Sequence, residues 1–130
     1  MEQELVDRFD SKREEIKCDL LMLLRDYSWF TYAEIVKVVI KAVHDGYGTP
    51  DPEHIHEIDD GYYQGTLLYV IPEDEYQPWN YWCVKVGYGS CSGCDTLMAI
   101  LDGDYGDTID EKIDSLFTLA LHIVQGLKKI

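Results

Sequence analysis

The sequence predicts an α+β fold, with helices towards both ends of the chain and a small antiparallel sheet between them. Three observations predict it. Apolar residues recur at helical spacing near both termini. The middle of the chain switches to short apolar runs closed by prolines. The gaps between those runs are too short for a crossover helix, so the strands pair as a meander. The expected order is α-α-β-β-β-α-α in one domain spanning 1–130.

Residues 3–25 read as one amphipathic helix, because Val6, Phe9, Ile16, Leu20, Leu23 and Leu24 share a face. A break follows at Asp26-Tyr27-Ser28. Thr31 and Glu34 then form a T-x-x-E capping box ahead of Ile35, Val36, Val38, Val39, Ile40 and Val43, and that helix should end near Gly46. Gly48, Pro50 and Pro52 make a loop. A short strand is expected at 54–59. Thr66–Ile71, closed by Pro72, and Tyr81–Val86 are the clearer strands. Gly87 to Gly93 is a glycine-rich turn, Asp95–Leu101 a short helix and 102–107 a turn. Thr108 and Glu111 cap a last helix whose core face carries Ile113, Leu116, Phe117, Ala120, Ile123, Val124 and Leu127.

The chain has 130 residues, of which 46% are hydrophobic, enough for one core. No run of about 18 apolar residues spans a membrane. The charged N-terminal stretch lacks the apolar region of a signal peptide, so a cytoplasmic location is expected. In that compartment thiols stay reduced, and Cys18, Cys83, Cys91 and Cys94 read as packing, metal or redox residues. The net charge of −14 argues against a nucleic-acid-binding surface, which needs Lys and Arg to displace counterions, and favours basic partners or cations. The acidity is concentrated. Residues 42–111 contain fifteen acids and a single basic residue, Lys85.

The sharpest local motif is the C-x-x-C of Cys91 and Cys94. Two sulfurs in a tight turn suit a tetrahedral zinc ion, with ligands at about 2.0–2.3 Å. A structural site takes about four ligands, so this motif supplies half of one. His122 and Asp95 are the first candidates for the rest, with His54, His56 and Cys83 behind them. His122 shares a polar stripe with Ser115, Thr118 and Gln125. The plainer readings make Cys18 and Cys83 buried small hydrophobes, His54 and His56 solvated, and His122 a hydrogen-bonded core histidine. The alternative is redox chemistry, in which Cys91 attacks and Cys94 resolves a disulfide. The surrounding acids oppose it, because they disfavour a thiolate.

Asp102, Asp104 and Asp107 lack the spacing of an EF-hand and read as a solvated turn. Asp59 with Asp60, or Glu73 with Glu75, could form an acid/base pair, but nothing in the sequence separates their pKa values. No phosphate-binding glycine loop is present. A second use of the acids is mimicry of DNA phosphates. Asp59, Asp60, Glu73, Asp74, Glu75, Asp102, Asp104 and Asp107 lie in a region crowded with aromatics, Trp79 among them, and Tyr and Trp are favoured interface anchors.

Tyr63-Gln-Gly-Thr-Leu67, Tyr76-Gln-Pro78, Tyr88-Gly-Ser-Cys-Ser-Gly-Cys-Asp-Thr-Leu97 and Leu121-His-Ile-Val-Gln125 resemble a family of small proteins encoded by phages and prophages of Gram-positive bacteria. The resemblance covers roughly residues 60–127 and is most specific in the cysteine segment. It implies a non-catalytic anti-CRISPR inhibitor that binds a basic host protein, an RNA-guided nuclease, and blocks nucleic-acid loading. The alternatives are the thiol-disulfide exchange protein and a structural or regulatory phage protein without a defence role.

Overall fold

In the computed structural model, residues 2–27, 29–61, 65–88, 96–101 and 108–130 are described, with Glu2, Asp60 and Tyr88 described by backbone alone. The observed order is α1 (Glu2–Asp10), α2 (Arg13–Asp26), α3 (Tyr32–Val43), β1 (His56–Gly61), β2 (Gly65–Pro72), β3 (Tyr81–Tyr88), α4 (Thr96–Leu101), α5 (Ile109–Gly126) and β4 (Lys128–Lys129). The α+β class and the antiparallel meander are as predicted. The strands lie in the order β1-β2-β3-β4.

Two details differ from expectation. The single helix expected over 3–25 is two helices. The Ser11 hydroxyl donates to the Arg8 carbonyl at 2.7 Å, and the Lys12 N–H bonds Phe9 O in a tighter turn. The apolar rhythm runs across this break, because Phe9 and Ile16 are both buried in the same core. Periodicity alone therefore could not reveal it. The second difference is β4. It is too short to carry a period, yet it pairs Lys129 with Trp82 and Lys128 with Cys83, and the Ile130 N–H donates to Tyr81 O at 2.8 Å.

One contiguous core holds the helices against one face of the sheet. Leu67, Tyr69 and Ile71 of β2 and Trp82, Val84 and Val86 of β3 face it, alternating along each strand. From α5, every predicted core residue from Ile113 to Val124, together with Leu127 just beyond it, is buried. Helix α5 ends close above β3. A Cβ on Gly126 would sit 3.3 Å from a Val84 methyl. Phe9 stacks at a tilt on Phe117, with centroids 5.3 Å apart, and this contact locks α1 to α5. Arg8 donates to Val43 O at 2.7 Å and so satisfies a terminal carbonyl of α3.

Cys18 and Cys83 are not buried as expected. Cys18 is exposed, because it lies opposite the Ile16–Leu20 face of α2. Cys83 is half-buried, out of phase with Trp82 and Val84 and hence on the sheet face away from α5. Among the described residues, no helix is long and apolar enough to cross a membrane.

Candidate functional site

The site is built from two loops at one end of the sheet. The first leaves α3 at Val43. Gly46 and Gly48 both adopt positive φ, at 78° and 84°, a region open to glycine at little cost. They turn the chain on either side of Tyr47, whose side chain is 83% exposed. Thr49 secures the turn. Its hydroxyl donates to Gly46 O at 2.6 Å and accepts from the Asp45 N–H at 2.9 Å.

This loop is strapped to the β2–β3 connection. Gly48 N–H donates to Asp74 O, Asp74 N–H to Thr49 O at 2.7 Å, and Asp51 N–H to Pro72 O at 2.9 Å. A β-bridge joins Pro50 to Glu73. The His44 ring bonds the Asp74 carboxylate at 2.7 Å. The two loops therefore form one surface.

Glu73 organises the second loop. It is only 5% exposed, an unusual place for a carboxylate unless donors surround it. They do. Trp79 N–H donates at 2.8 Å, Asn80 N–H at 3.2 Å and Asn80 Nδ2 at 3.1 Å. The Glu73 N–H in turn donates to Asn80 O at 3.0 Å, which closes the loop at its base. The Asn80 amide, and next the Trp79 N–H, hold the Glu73 carboxyl below the ordinary range. Glu75 is pushed the other way by its hydrogen bond to Glu73, with the Glu73 charge adding to the effect. Tyr76 and Trp79 project from this clamped loop, 94% and 83% exposed.

Asp51 adds a third fixed acid. Burial works against its charge, but the Glu53 N–H at 2.9 Å and the His54 ring at 2.7 Å outweigh that and lower its pKa. With Glu75, Tyr76 and Tyr81 it lines a cavity of about 320 Å³. No Lys or Arg occurs between positions 42 and 84, so both loops are acidic, while Lys128 and Lys129 of β4 pair alongside the start of β3.

Among the described residues, the acids expected to bind a partner do not form a single patch. Asp74, Glu75 and Trp79 lie on the one β2–β3 connection. Glu73, expected at the contact, is instead buried beneath it, because its carboxylate ties the loop. Asp59 lies towards the other end of β2, opposite Leu67 and about 20 Å of strand from Glu73. The Asp60 side chain and all of Asp102, Asp104 and Asp107 lie outside the described residues. Tyr47 and Asn80 were missed. Tyr47 had a readable signal, an aromatic between two glycines in a loop. Asn80 had none.

Cys91, Cys94 and Asp95 also lie outside the described residues. His122 is exposed on α5 rather than a core histidine, and it lines a cavity of about 210 Å³ with Gly87 and Thr96. Cys83 is separated from it by the sheet. His54 and His56 are exposed, as expected of solvated residues. Among the described residues, no three His, Cys, Asp or Glu side chains are arranged to hold a metal. No family model, curated protein or solved structure matches this chain.

Proposed function

We propose that this chain is a non-catalytic binding protein that engages a basic surface of a partner through its paired acidic and aromatic loops. One observation carries the reading. The buried Glu73 carboxylate clamps a loop from which Tyr76 and Trp79 stand almost wholly in solvent. Large exposed aromatics on a loop tied at its base are costly in an isolated protein and useful at an interface. Clamping the loop beforehand removes ordering entropy from the binding step. The anionic surround selects a partner rich in Lys and Arg and speeds encounter with it.

The resemblance to phage proteins supplies the partner class. The basic surface would be the nucleic-acid channel of a host RNA-guided nuclease, met in the host cytoplasm, and the inhibitor would occupy it before nucleic acid loads. The test is binding to the nucleic-acid-free nuclease, followed by biolayer interferometry. The Tyr76→Ala/Trp79→Ala variant should bind at least about tenfold more weakly with its fold intact. Wild-type affinity should fall as salt shortens the screening length from about 10 Å at 0.1 M to 3 Å at 1 M. Unchanged affinity in the variant would defeat the proposal, and salt-independent binding would defeat its electrostatic part.

We also propose a zinc ion on Cys91 and Cys94, completed by His122 and Asp95. Support comes from His122, which shares a cavity with Gly87 and Thr96, the described residues near either end of the cysteine segment. Purified protein should carry about one zinc per chain, as a complete ligand set implies. The Cys91→Ser/Cys94→Ser variant should carry none. Metal-free, folded wild type would instead favour thiol-disulfide exchange or plain packing.

A further inference from the structure

A second cavity, at the far end of β2 from the aromatic loops, has a different chemistry. It encloses about 320 Å³, near the lower end of the ~300–1,000 Å³ range of small-molecule sites. Its apolar walls are Trp29 and Phe30 before α3, Leu67 of β2, and Leu97 and Met98 of α4. Glu57 and Asp59 supply its carboxylates.

The position of these two acids is the unusual feature. Glu57 pairs with Tyr69 and Asp59 with Leu67, and both partners are buried on the helix-facing side of the sheet. Strand residues directly opposite each other point to the same side. The edge strand therefore places two carboxylates where the neighbouring strands place core residues. Glu57 is fixed there by the Tyr69 hydroxyl, which donates at 2.6 Å. Burial and the Glu57 carboxylate raise the Tyr69 pKa far above that of an ordinary phenol, so Tyr69 remains the donor. Among the described residues, no Lys, Arg or His lines the cavity. A half-exposed indole, Trp29, stands at its wall.

We propose that this cavity binds an organic cation with an apolar body, its ammonium or guanidinium group on Glu57 and Asp59 and its body against Trp29, Phe30 and Met98. Charge complementarity selects the cation, because carboxylates beside low-dielectric walls focus a negative potential. The indole adds attraction for the same charge. An anion meets repulsion from the two carboxylates, and a neutral apolar molecule brings them no opposite charge. The inference is independent of the aromatic loops and of any zinc.

The charged group can belong to a free amine or to an Arg or Lys side chain of a protein. Titrations followed by assigned ¹H–¹⁵N NMR distinguish these. The probes are 2-phenylethylammonium, the neutral 2-phenylethanol, the anionic 3-phenylpropanoate and a blocked Arg-Leu dipeptide. The ammonium should shift the Trp29 indole resonance saturably and bind about tenfold more tightly than the alcohol. The propanoate should not bind. Asp59→Asn and Trp29→Ala should each weaken the ammonium several-fold. Glu57→Gln, which retains an acceptor for Tyr69, should do the same while its thermal midpoint holds. Tighter binding of the dipeptide than of the ammonium would assign the cation to a protein side chain, and the reverse would assign it to a free amine. Equal affinity for ammonium and alcohol, undiminished binding in Asp59→Asn, or no saturable shift with any probe would overturn the proposal.

Discussion

Glu73 shows how little a residue's class says about its use. In the sequence it is one acid in a run of three, and such runs are usually solvated. In the fold it is the buried keystone of a loop, with three N–H groups on its carboxylate. Its folded pKa lies below its unfolded value of about 4.5. The stability it contributes is therefore present above the unfolded value and lost as pH falls through the folded one. Glu75 runs the opposite way. Its raised folded pKa favours the protonated form, so its contribution is present at low pH and lost as pH rises through the folded value. Glu73→Gln, which places an amide group among donors, should destabilise the protein by about 1–3 kcal/mol at pH 7. The gap from wild type should narrow below about pH 4 as the native carboxylate protonates. Urea unfolding at both pH values measures this, and a gap independent of pH would contradict the role given to the charge.

At the scale of elements, the same four-residue signal gave two outcomes. Thr108 and Glu111 form the predicted cap. The Thr108 hydroxyl accepts from Glu111 N–H at 3.1 Å and donates to Glu111 Oε1 at 3.0 Å. Thr31 stands at the start of α3 with no side-chain cap, and the Glu34 N–H bonds the Thr31 carbonyl instead. Its neighbours explain the difference in setting. Thr31 lines the cation cavity between Phe30 and Tyr32, and the Tyr32 hydroxyl accepts from Leu97 N–H at 3.0 Å, which anchors the start of α3 to α4. Tertiary contacts thus hold that helix start. Thr108→Ala should cost about 1 kcal/mol, and Thr31→Ala only a few tenths. Equal losses in thermal unfolding would mean that the two caps do the same work. The split between α1 and α2 teaches a related point: hydrophobic spacing reports which face is buried, not whether the helix bends between the buried positions.

Across the whole molecule, a net charge of −14 on 130 residues sets the electrostatic background. Self-repulsion destabilises the compact state, and salt relieves it. The urea midpoint should therefore rise between about 0.05 M and 0.5 M NaCl, while affinity for a basic partner falls over the same range. A midpoint that falls would place the dominant charge interactions in attractive pairs instead. The sequence by itself determined the α+β class, the meander, the core faces of α3 and α5, and an acidic, aromatic middle free of Lys and Arg over 42–84. These properties are local, since periodicity, prolines, glycines and composition act within a few residues of where they are read. Only the tertiary structure decided which acids gather. It buried Glu73, joined the loop of Tyr47 to the loop of Tyr76 and Trp79 across some thirty residues of chain, and placed Asp59 apart from them in a cavity that Trp29 also lines. Those neighbourhoods depend on strand register and on contacts between distant segments, and residue spacing along a single chain does not encode them in a form that can be read directly.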